Sequence, residues 1–151
     1  MTKLAQEKLT KKEIEEIRKD PDKINWSINC GNYNLSEDFI REFSDKVNWY
    51  YISWHQKLSE SFIREFKDKV NWYIICWDQK LSEDFIREFS DKVDWSNVSK
   101  YQKLSEEFAY EFYDKVDWKA LCEKEYNFKE APRYIKLYIA VNHRELLEYF
   151  K

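Results

Sequence analysis

Between residues 35 and 47 apolar side chains fall at four-residue steps, Leu35, Phe39, Phe43 and Val47, with Ile40 beside them and charged residues between. That spacing lines one face of a helix. Ser36, a good N-cap, is followed by Glu37 and Asp38, which the positive end of a helix favours. Leu35 and Ile40 stand where a hydrophobic staple forms. The same grammar returns at once, because Val47 precedes the cap residue Asn48 and Ile52 follows four later. A second helix is therefore expected to start there, with Trp49, Ile52, Ser53 and Gln56 on one face and Trp49 and Ile52 turned to the core.

The pattern recurs with a period of 23 residues, in units 35–57, 58–80 and 81–103 and in a looser unit 104–126. Val70–Asn71–Ile75, Val93–Asp94–Val98 and Val116–Asp117–Leu121 repeat the second-helix signature, and Trp26, Trp72, Trp95 and Trp118 match Trp49. A divergent first repeat, 9–34, fits with three extra residues near Pro21. Residues 127–151 read as a C-terminal helical cap, where Val141, Asn142 and Leu146 repeat the rule once more and Pro132 suits a first helical turn. A leucine-rich repeat has a similar period, but its L-x-x-L-x-L pattern is missing. WYYIS at Trp49 could pass for a strand, whereas its counterparts WSNVS and WKALC could not. The expectation is one all-α domain over 1–151, a short right-handed α-solenoid of about five helical-hairpin repeats, with roughly twelve residues in each first helix and eight in each second.

Composition agrees with this and narrows the chemistry. The chain has 151 residues, of which 19% are aromatic and 36% charged, at a net charge of -3. One glycine (Gly31) and two prolines disfavour glycine-loop nucleotide folds and the hairpin turns of sandwiches and barrels. Near-neutral charge argues against a dedicated nucleic-acid binder, and no run approaches the roughly 18 apolar residues of a membrane span. With a polar start and no signal-peptide apolar region, a cytoplasmic protein that does not enter a membrane is expected. Cys30, Cys76 and Cys122 share one slot, filled by Ser53 and Ser99 elsewhere, at spacings of two repeats. Stacked layers would hold them roughly 16–20 Å apart, too far for a disulfide or a shared metal. They read as small buried residues. His55 and His143 have no triad or metal-ligand arrangement around them, and Glu37–Arg41, Arg41–Asp45 and Glu42–Lys46 read as i,i+4 surface pairs. No enzyme activity, cofactor or metal is expected.

Comparing the repeats with one another locates the candidate surface. Segments 35–47 and 81–93 match at all 13 positions, yet YYISWH at 50–55 and SNVSKY at 96–101 match at one of six. The variable positions, read as outward, supply a candidate partner-binding set: Tyr50, Tyr51, Trp54, His55, Tyr73, Ile74, Trp77, Asp78, Asn97, Lys100, Tyr101, Lys119, Glu123 and Lys124. Exposed Trp and Tyr are what interface hot spots are built from, so a protein partner is expected. The charged members would adjust specificity at the rim. Two other readings stand beside it, a nucleotide or single-stranded RNA binder with bases stacked on the rings and a structural spacer. The face lacks the Lys/Arg density that phosphate contacts require.

The LSEDFIREFSDKVNW stretch and its copies, with their DKV[ND]W core, resemble a short repeat found in tandem in proteins of giant viruses, phages and AT-rich bacteria. The resemblance covers about 9–126 and brings no activity onto particular residues. It implies a viral or mobile-element setting and, by extension, a binder that inhibits a host factor inside the host cell. Ala109, Tyr110 and Tyr113 depart from the pattern.

Overall fold

A computed structural model describes residues 7–124 and 131–150. The end of the fifth repeat, 125–126, and the opening 127–130 of the C-terminal segment lie outside the described residues. The chain divides into two compact units, 1–75 and 76–151. The first holds α1 (Lys11–Lys19), α2 (Trp26–Asn32), α3 (Glu37–Glu42), α4 (Trp49–His55) and α5 (Glu60–Glu65); the division falls inside α6 (Trp72–Asp78). The second holds α7 (Glu83–Glu88), α8 (Trp95–Tyr101), α9 (Glu106–Glu111), α10 (Trp118–Cys122) and α11 (Arg133–Asn142), closed by a 3-10 segment, Arg144–Phe150. The structure is mostly helical, as the periodicity predicts. Two-residue strands β1 (Glu7–Lys8) and β2 (Tyr33–Asn34) add a short parallel pair that the pattern does not announce.

Each first helix starts where its cap predicts: the hydroxyls of Ser36, Ser59, Ser82 and Ser105 accept from the amides of Phe39, Phe62, Phe85 and Phe108. It ends earlier than expected. α3, α5, α7 and α9 run six residues each, not twelve. At Phe43 the backbone leaves the helix (φ -115°, ψ 31°), and the amides of Lys46 and Val47 both turn back to the Phe43 carbonyl. The four-residue apolar spacing survives because Phe43 to Val47 is itself one turn. The break exposes the Ser44 carbonyl, which takes the Trp49 indole N–H at 3.0 Å. Trp26, Trp72, Trp95 and Trp118 do the same five residues back, at Pro21, Lys67, Ser90 and Tyr113. Each tryptophan thus fixes the corner between its repeat's two helices.

The matching bond from Trp26 to Pro21 puts Pro21 in register with Ser44, so nothing is inserted there. The three extra residues instead lengthen α1, which runs nine residues.

Within each unit, polar ties link successive repeats at fixed offsets. Arg18, Arg41 and Arg87 reach Glu42, Glu65 and Glu111, each 24 residues on, at 2.7–2.8 Å. The charged ladder therefore runs between repeats as well as along helices, where Arg41 also meets Asp38 at 2.9 Å and Arg87 meets Asp84 at 2.7 Å. The Arg41–Glu37 pair is long at 3.8 Å, Glu42 is taken by Arg18, and Lys46 by Asp22 at 2.6 Å. The guanidiniums hold the Glu42 and Glu111 carboxyls below their ordinary range. Glu37 accepts the cap amide of Ser59, and Glu83 that of Ser105. Apolar packing follows the same step: Trp49 sits 4.8 Å from Phe66, and Trp95 4.9 Å from Phe112, ring centre to ring centre.

Candidate functional site

The second helices carry the variable positions. In the first unit α2 packs against α4, and in the second α8 packs against α10. A helix flanked in this way buries positions beside its core face as well as on it, which decides which of the candidate residues are accessible.

On α4 four rings form one cluster. Tyr50 meets Tyr51 edge-on at 5.7 Å and Trp54 at 5.9 Å, while His55 stacks between Tyr51 (5.7 Å, 11°) and Trp54 (4.9 Å, 27°). Tyr51, Trp54 and His55 are half-buried by this mutual packing. Tyr50 remains 50% exposed and Tyr73, one repeat on in the same slot, 60%. Ile28 on α2 is exposed nearby in the repeat pattern, and neither α2 (WSINCGN) nor α4 (WYYISWH) contains Asp, Glu, Lys or Arg. Gly31 occupies the slot of Trp54 and Trp77 and lies against the next helix. A Cβ there would lie 3.6 Å from Tyr51 Cδ1 and 3.8 Å from the His55 ring.

In the second unit Trp77 is exposed and meets Tyr101 edge-on at 6.3 Å, with the Lys100 ammonium 5.5 Å from the Tyr101 ring. Lys119 and Glu123 are exposed and Asp78 is half-buried. Three members of the expected set need correction. Ile74 and Asn97 are buried, two positions after the repeat's tryptophan and beside the helix's core face rather than opposite it. Lys124 donates to the Gln102 carbonyl at 2.8 Å, and burial lowers its pKa. It is a structural tie, not a rim charge.

That tie replaces a device which spacing arguments pass over. Gln56 is buried; its amide donates to the carbonyls of Cys30 and Tyr33 at 2.8 Å each and its oxygen accepts the Leu35 amide at 2.9 Å. Gln102 does the same with Cys76, Gln79 and Leu81. Each stitches the loop leaving the previous second helix. In the last repeat Lys124 reaches the equivalent carbonyl, that of Gln102. The recurrence of Gln56, Gln79 and Gln102 on a face with buried Ile52, Ile75 and Val98 is the signal that finds it.

The shared Cys/Ser slot has a role too. Ser53 Oγ accepts the cap amide of Asn71, and Ser99 that of Asp117, both at 2.9 Å. The Cys30 sulfur meets the Asn48 amide and Cys76 that of Asp94. All three cysteines are free, buried thiols; burial pushes Cys76 up to about 12 and Cys122 up to about 11. Among the described residues no group of three or more His, Cys, Asp or Glu is placed to hold a metal ion, and no helix is long and apolar enough to cross a membrane. Comparison with protein-family models, with curated proteins and with solved structures returns no match.

Proposed function

We propose that this protein is a non-enzymatic protein-binding scaffold built as a short right-handed α-solenoid, and that a partner engages the outer positions of its second helices. One observation carries the reading: Tyr50 and Tyr73 are half or more exposed, and Tyr50 belongs to a ring cluster on a helix without charged residues, in a chain where 36% of residues are charged. Rings held against one another lose little freedom on binding, which is what makes Tyr and Trp effective anchors. Every copied device, the glutamine ties, the indole corners and the arginine ladder, serves the scaffold, whereas the aromatic positions vary between copies. If the resemblance to viral and phage repeats extends to setting, the partner is a host protein.

The test is affinity capture with the purified chain as bait, followed by reconstitution with the captured protein alone, alongside titration with single-stranded RNA across salt. Saturable binding of a purified protein, with RNA binding absent at physiological salt, supports the proposal. Salt-sensitive RNA binding with no reconstituted protein complex would replace it by the base-stacking alternative.

A further inference from the structure

Helix α11 is apolar on two sides. Ile135 and Ile139 are buried on the inner one. On the outer one Tyr134 is exposed, Leu137 is 64% exposed and Val141 70%, more than any other described large apolar side chain. A helix that is apolar on two sides is ordinarily covered on both. By contrast, the exposed side chains of α1 include Lys12, Glu15, Glu16 and Lys19.

We propose that the outer face of α11 is the contact surface of a homodimer, covered by a second copy of this chain with the two α11 helices antiparallel about a two-fold axis. Self-complementarity, which an isologous contact demands, is written into the stripe. Arg133, Leu137 and Val141 follow at four-residue steps along the helix, and Glu145 lies just past its C-terminal end, in the 3-10 segment Arg144–Phe150. Arg133 and Glu145 are both exposed. Antiparallel pairing brings Leu137 and Val141 of the two copies together at the centre and sets Arg133 of each copy against Glu145 of the other. Parallel pairing would oppose like charges. A contact between α11 of one copy and α1 of another would press Leu137 and Val141 onto the charged groups of α1, desolvating them without partners. The favoured assembly is therefore a closed dimer, not an open chain of copies.

Sedimentation of the full-length protein over a range of concentrations tests this. The expected result is a concentration-dependent change from monomer to dimer mass, with Leu137→Glu weakening the dimer at least about 30-fold, as loss of a central apolar contact does. Arg133→Glu and Glu145→Arg each weaken it, and the double reversal restores it. Both positions are exposed, so these variants read the interface even if Leu137→Glu disturbs folding. A wild-type protein that stays monomeric at the highest concentration, a dimer indifferent to all the single variants, or a double reversal that fails to restore would overturn the proposal.

Discussion

Gln102 shows how much one side chain settles in this protein. It is buried, uncharged and bonded three times to backbone groups, two at the end of the preceding repeat and one at the start of its own. Replacing it by Leu keeps the volume but strands two carbonyls and an amide. Gln102→Leu is expected to cost about 3 kcal/mol, measured by urea unfolding; a cost under about 1 kcal/mol would mean that the glutamine ties do not hold the repeats. The cysteines make the opposite case, being replaceable by the serine of the other repeats. Their thiols, raised by burial, stay protonated in the folded chain where unfolded thiols ionise, near 9.0. Below that pH both states are protonated and the thiols contribute nothing to pH dependence. As pH rises from about 9 towards 11 or 12 the unfolded state alone loses protons, so stability falls with rising pH. Cys30→Ser/Cys76→Ser/Cys122→Ser should flatten that fall, and the native thiols should react with a disulfide reagent at pH 8 only upon unfolding.

At the scale of the element, the chain announces starts better than stops. Ser36 and Asn48 caps are legible because a cap is a local bond between neighbours in sequence. The end of α3 at Glu42 is not, because Phe43 and Val47 keep helical spacing across a turn and the deciding bond comes from Trp49. The i,i+4 reading of the ion pairs holds in part for a related reason: Glu37–Arg41 forms, at 3.8 Å, but the shortest partners of Arg41, Glu42 and Lys46 lie a repeat away, which period alone does not choose. In the candidate site, the variable rings Tyr50, Tyr73, Trp77 and Tyr101 are exposed as their spacing suggests, whereas Ile74 and Asn97, at equally variable positions, are buried, which variation between copies does not reveal. The indole corner gives this scale its prediction. Trp95→Phe keeps a ring against Phe112 but leaves the Ser90 carbonyl without its donor, and thermal unfolding should show a loss of about 1–2 kcal/mol. An unchanged midpoint would make the indole bond incidental.

For the whole molecule, ties at constant sequence offsets imply that repeats are interchangeable units. Deleting residues 35–57 joins Asn34 to Leu58 and restores every slot, Arg18 facing Glu65 and Cys30 facing the Asn71 cap. The shortened chain should unfold cooperatively at a lower midpoint, whereas deleting 35–54 breaks the register and should abolish cooperative unfolding, both followed by circular dichroism. A scaffold so insensitive to copy number leaves recognition to the positions that differ between copies. The most direct measurement is the affinity of the captured partner for Tyr50→Ser/Tyr73→Ser, where serine is what the same slot carries at Ser27 and Ser96. The expected result is a loss of at least about 30-fold, as for two anchor rings, with the melting midpoint unchanged. Undiminished affinity in a folded double variant would contradict the assignment of the aromatic second-helix surface as the binding site.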